Sequence, residues 1–234
     1  MINEVRATVL SVLNKNNYGY ITPADFNLYA EQAQISIFES LFDSYNDKIN
    51  KENARVSGSG YANLSKLVEE EIEDFSTNVP LVVIADNTFT MPSDAYSTTQ
   101  MLYFDGASYV EMDKANRREI IMLSNSLDVA PSSMFPVYTV EGNVLTAYPS
   151  TINTTGDVIC DYIRYPKAPK WTYFSVGVSQ EPIFNESAVD YQDFELSRDF
   201  APQLIYRILQ LSGMSVRELG VYEMAQKEQQ EEEK

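Results

Sequence analysis

Near the start of the chain, Ile2, Val5, Val9 and Val12 or Leu13 recur at three- and four-residue steps, one apolar stripe of an amphipathic helix over residues 2–13. Asn14 to Tyr20 breaks that stripe. Thr22-Pro23-Ala24-Asp25 then supplies a capping hydroxyl, a proline at the first helical position and an acid in the first turn, which together predict a helix start. Behind it Phe26, Ala30, Ala33, Ile37 and Leu41 keep helical spacing, with Phe38 and Tyr45 alongside, and neither Gly nor Pro intervenes before Gly58. Helical from 23 to about 50, this element would be roughly 40 Å long. Gly58-Ser59-Gly60 predicts a loop, and Leu64, Leu67, Val68, Ile72 and Phe75 predict a third helix whose outer face carries Glu69-Glu70-Glu71-Glu73-Asp74.

From Asn78 the chain turns to β-branched and aromatic runs with turn punctuation, which predict strands. Leu81 to Ala85 and Phe89 to Met91 are candidates. Asp105-Gly106 separates Met101–Phe104 from Ser108–Met112, and Gly142-Asn143 separates Val137–Glu141 from Val144–Tyr148; both dipeptides suit two-residue hairpin turns. Between the hairpins Asp113 is the expected cap of a short helix through about Leu123, with Ile120 and Leu123 inward. Val158 to Tyr165 predicts another strand, and residues 175–196 an extended loop or a stray strand over Asp190 to Leu196. Helical spacing returns at Phe200, Leu204, Ile208 and Leu211, with Gly213 as the expected C-cap. Ser215-Val216-Arg217-Glu218 has capping-box spacing and opens a last helix with Leu219 and Tyr222 on one side. That helix ends in Lys227 to Lys234, polar all round and unable to bury itself alone.

The predicted fold class is α+β, with N- and C-terminal helices forming a helical layer around an inserted antiparallel β region. The expected division is 1–77 helical, 78–196 β-rich, and 197–234 as C-terminal helices packing with the N-terminal helical part.

Composition narrows the chemistry. The 234 residues contain no His, which removes Ser-His triads, Cys-His dyads and His-bearing zinc sites. Cys160 is the single cysteine, so no internal disulfide is possible, and its place in a strand pattern suits a buried inert thiol. Neither G-x-G-x-x-G nor G-x-x-x-x-G-K-[ST] occurs, and no D-x-[DN]-x-[DN]-G calcium loop is present. No cofactor and no metal site is predicted. The sequons at Asn63, Asn153 and Asn185 mean little without secretion, and Met1 to Arg6 lacks the basic and apolar regions of a signal peptide. No apolar run approaches the roughly 18 residues that span a bilayer, so no membrane partner is expected.

Seventeen Lys and Arg against 34 Asp and Glu give −17 at pH 7, which disfavours wrapping of nucleic acid without forbidding its passage nearby. The acidic face at Glu69, Glu70 and Glu71 reads either as a solvated helix face or as a surface turned towards a polyanion or a basic partner. Locally basic sequence is concentrated in Asp161 to Tyr173, where Arg164, Tyr165, Lys167, Lys170 and Trp171 alternate with prolines. Such an arm suits docking on an acidic neighbouring subunit, a stacking platform for nucleic acid, or a strand exit folded on its own domain. Leu219 and Tyr222 are further interface candidates.

Several stretches together resemble a known family. They are Ile2-Asn3-Glu4-Val5-Arg6, Tyr20-Ile21-Thr22-Pro23-Ala24-Asp25-Phe26-Asn27, Ala30-Glu31-Gln32-Ala33-Gln34 and Ile37-Phe38-Glu39. Further along come Ala130-Pro131-Ser132, Pro136-Val137-Tyr138, Tyr162 to Trp171, Phe194-Glu195-Leu196 and Leu204 to Gly213. In these the chain resembles virion structural proteins of crAss-like and related short-tailed phages, through overall texture across most of its length. The resemblance implies a non-enzymatic, homo-oligomeric ring of about twelve copies, a head-to-tail connector of the neck or tail. It further implies assembly in the host cytoplasm, contact with the portal and other neck or tail rings, and genomic DNA passing through without specific binding. Twelve copies would carry about −204 between them, a channel to which DNA does not adhere. Glu69, Glu70 and Glu71 are then candidates to face the lumen. Two other readings are open: a cytosolic, non-enzymatic adaptor binding a partner through its amphipathic terminal helices, and a hydrolase built on two carboxylates.

Overall fold

The computed structural model describes residues 1–15, 21–54, 70–126, 128–176 and 181–216. Its helices are α1 (Ile2–Lys15), α2 (Pro23–Ala54), α3 (Arg117–Ser124) and α4 (Ala201–Val216), with a helical turn over residues 70–73 and a 3₁₀ turn at Arg198–Phe200. The fold is α+β, as the sequence pattern predicts. Two compact units divide the chain, one of Met1–Glu71 with Pro166–Lys234 and one of Ile72–Tyr165.

In the first unit α4 packs on both α1 and α2. The stripe Ile2, Val5, Val9 and Leu13 is buried, as are Phe26, Ala30, Ala33, Ile37, Phe38 and Leu41 of α2 and Leu204, Ile208 and Leu209 of α4. Helix α2 begins where the capping pattern puts it: the Asp25 backbone N–H donates to Thr22 Oγ1 at 3.2 Å. Its 32 residues make it about 48 Å long. Gly213 does not end α4. It is buried inside the helix, a packed position where tertiary contacts outweigh the ~1 kcal/mol helix penalty of glycine. Ser215 is accordingly a helical residue and not the cap of a new helix. The loop at Gly58 to Gly60, Glu69 and the segment with Leu219 and Tyr222 lie outside the described residues.

The second unit holds two sheets. Strands β1 (Ser76–Pro80), β4 (Ala95–Phe104), β5 (Tyr109–Glu111) and β9 (Val158–Arg164) form one, in the order β1-β9-β4-β5 and antiparallel throughout. Strands β2 (Val82–Ala85), β3 (Thr88–Thr90), β6 (Asp113–Lys114), β7 (Val137–Glu141) and β8 (Val144–Tyr148) form the other, ordered β2-β3-β8-β7-β6, with β6 parallel to β7. Alternate residues of facing strands make a common core: Met101, Val158, Cys160 and Tyr162 from the first sheet meet Phe89, Tyr138, Leu145 and Ala147 from the second.

Both predicted hairpins form. Glu141 pairs with Val144 across the two-residue turn, and Gly142 takes φ +63° while Asn143 does not go positive, as a type II′ turn requires. The Asp105-Gly106 turn is longer than expected: Phe104 pairs with Tyr109, and Asp105 Oδ1 accepts from the backbone N–H groups of Ala107 and Ser108 at 2.8 Å each. Asp113 is not the cap of α3. It sits in β6, and Asn116 caps the helix while its N–H donates to Glu119 Oε2 at 2.8 Å. The stretch 166–196, grouped with the β-rich part in the sequence reading, clusters with the helical unit. It contains a hairpin of β10 (Tyr173–Val176) and β11 (Glu181–Phe184), most of it within the residues 175–196 that the sequence reads as an extended loop or a stray strand at Asp190 to Leu196, and there is no strand at Asp190 to Leu196.

Candidate functional site

The basic-aromatic arm is where the sequence concentrated its interface candidates, and most of its bonding is internal. Trp171 is only 2% exposed, so it is a core residue of the first unit and not a docking side chain. The Arg6 guanidinium lies 3.8 Å from its ring centroid, and Tyr173 and Phe184 stack near it at 5.7 and 5.8 Å. Its indole N–H donates to Asn3 Oδ1 at 3.1 Å. On its backbone, Asn27 acts as a surrogate strand: Oδ1 accepts from the Trp171 N–H at 2.8 Å, and Nδ2 donates to the Trp171 carbonyl at 3.2 Å.

Gln34, seven residues on and therefore on the same face of α2, repeats the device. Its Nε2 donates to the Lys167 carbonyl at 2.8 Å, and its Oε1 accepts from the Glu195 N–H at 3.1 Å. The Lys167 N–H donates to Glu195 Oε2 at 2.7 Å, and Lys170 Nζ meets Asp190 Oδ2 at 2.6 Å. Thus the acid expected on a neighbouring subunit is supplied by the arm's own chain. Arg164 and Tyr165 fall in the second unit, the Tyr165 ring edge-on to Tyr96 at 5.1 Å. Glu70 is exposed and Glu71 half-buried in the helical turn over 70–73.

Asp193 ties the same region to the start of α1. Its carboxylate accepts from the Met1 ammonium at 2.8 Å, the Ile2 N–H at 2.7 Å and the Phe194 N–H at 2.9 Å. Partial burial pushes its pKa up, but the ammonium and the two backbone donors outweigh that and hold it below the ordinary value. Cys160 is fully buried, and burial, with Asp161 adding to it, pushes its thiol up to about 12. Such a thiol is no nucleophile near neutral pH. Among the described residues no group of three His, Cys, Asp or Glu side chains is placed to hold a metal ion, and no helix is long and apolar enough to cross a membrane.

The surface that does stand out was not singled out by residue spacing. Around α3 and the loop after it, Ile121, Met122, Val129, Met134 and Phe135 are 58%, 64%, 62%, 73% and 73% exposed. Met122, Val129 and Phe135 line an open groove of about 550 Å³, with Leu123 and Val137 behind them and Asp113, Lys114 and Glu119 at its polar edge. From Ile120 to Phe135 the sequence has one charged residue, Asp128, in a chain that is 22% charged. That gap in charge is the signal by which the sequence could have disclosed the patch. A second apolar surface lies on the β10–β11 hairpin, where Phe174 and Ile183 pair across the strands and are 47% and 46% exposed.

No protein-family model matches the chain, and no curated protein matches it either.

Proposed function

We propose that the protein is a non-enzymatic structural component of a phage virion, a homo-oligomeric ring of the neck or tail that joins the portal to neighbouring rings. Contiguous apolar side chains left in water mark protein–protein contact surfaces. The observation that carries the reading is the apolar patch of Ile121, Met122, Val129, Met134 and Phe135, exposed with Asp128 as the one charge in that stretch of sequence, on a chain whose net charge of −17 would otherwise keep its copies apart. The family resemblance supplies the setting: head-to-tail connector, virion location after assembly in the host cytoplasm, and a bore traversed by the genome. The mechanism is geometric and electrostatic. Packing between copies builds the ring, and acidic faces such as Glu69 to Asp74 repel the phosphate backbone so that DNA slides without sticking.

Quantitative mass spectrometry of purified particles tests the assignment. The chain is expected at a fixed small-integer ratio to the portal protein. Its absence from intact, infectious particles would overturn the reading.

A further inference from the structure

Burial divides the oxidisable side chains of this chain into two groups. Met91, Met101 and Met112 are buried in the second unit and Met1 is half-buried, whereas Met122 and Met134 are 64% and 73% exposed. Cys160 is fully buried, and a thiol pushed up to about 12 offers almost no thiolate to an oxidant at neutral pH. Trp171 is enclosed as well. Met214 and Met224 fall outside the described side chains. Among the described residues, then, the side chains that peroxide attacks most readily are shielded with two exceptions, and both exceptions lie in the apolar region of α3 and the loop after it. We propose that Met122 and Met134 form a methionine oxidation site, through which peroxide turns this apolar surface polar and a sulfoxide reductase turns it back.

Local structure leaves both residues in water. In α3 the buried residue is Ile120, and Met122 stands on the groove wall with Val129 and Phe135. Met134, next to Phe135 in the chain, is a central residue of a tight turn closed by the Phe135 N–H donating to the Ser132 carbonyl at 3.1 Å. Neither sulfur waits for the fold to open, as a core methionine must. In the reaction the thioether sulfur gives up two electrons and gains one oxygen from the peroxide, which leaves as water. A dithiol reductase later removes that oxygen as water and becomes a disulfide. Each sulfoxide puts a polar, chiral group where a flexible apolar side chain stood. From Ile120 to Phe135 the one charged residue is Asp128, so two such groups change this stretch more than they would a surface already rich in carboxylates. The chemistry belongs to the single chain and does not depend on the ring reading.

The test treats the folded full chain with hydrogen peroxide and locates the added oxygen peptide by peptide. Met122 and Met134 should react at least about tenfold faster than Met91, Met101 and Met112, and urea, which opens the core, should level the rates. Binding of a dye that fluoresces on apolar surfaces should fall as these two react, and should recover when methionine sulfoxide reductases for both epimers are added with a thiol reductant. In the double variant Met122→Leu, Met134→Leu, a volume-conserving change, dye binding should withstand the same dose of peroxide. Core methionines that react as fast as these two in the folded chain would overturn the proposal. So would wild-type dye binding that ignores the oxidation, or a fall as large in the double variant.

Discussion

Trp171 shows how one residue changes meaning between sequence and structure. In the sequence it ends a basic, proline-rich arm; in the fold it sits under Arg6, hydrogen-bonded to Asn3 and Asn27 and stacked on two rings. Trp171→Ala should therefore cost about 3–5 kcal/mol of stability, measured by urea unfolding followed by circular dichroism, since the chain has no other Trp to report by fluorescence. Asp193 gives a pH signature. Its folded pKa is lowered, so its contribution is present above the unfolded carboxylate value of about 4 and is lost as pH falls through the folded value. Asp193→Asn should lower the melting temperature at neutral pH, and the gap to the wild type should close as the pH is taken below about 4. A gap independent of pH would contradict this role.

At the scale of elements, what the sequence disclosed follows from local physics. The α1 stripe, the Thr22-Pro23 start of α2 and the Gly142-Asn143 turn each depend on residues a few positions apart, and each forms as expected. Gly142→Ala should cost about 1–2 kcal/mol, because φ +63° is a region L-residues avoid. With nothing within 4 Å of the added methyl group, the loss is conformational and not steric. Thermal unfolding of the variant measures it. The failures are non-local. Gly213 continues α4 because it is packed, and the β10–β11 hairpin is held by rings stacked on Trp171. Asn27 and Gln34 gave no sign that their amides bind backbone more than a hundred residues away. The groove was hidden for a related reason: Ile121 and Met122 look like two more apolar residues of a short helix until the fold shows that α3 buries Ile120 and leaves these two exposed.

For the whole molecule, charge and apolar surface act in opposite directions. Copies at −17 repel one another, while in the proposed ring it is exposed apolar surface, such as that beside α3, that would hold them together. Screening weakens the first and leaves the second intact, so self-association should strengthen as salt rises from about 0.01 M, where the Debye length is about 30 Å, to 0.15 M, where it is about 8 Å. Sedimentation velocity at the two salt concentrations checks this, and association that weakens with salt would point instead to ion pairs as the adhesive. The central claim, that this chain builds a closed homo-oligomer, is tested most directly by the mass of the purified protein in solution, read by light scattering at several concentrations with and without the portal protein. The account predicts a discrete ring-sized species, alone or on its partner. A 26.5 kDa monomer at every concentration, indifferent to the portal, would contradict it.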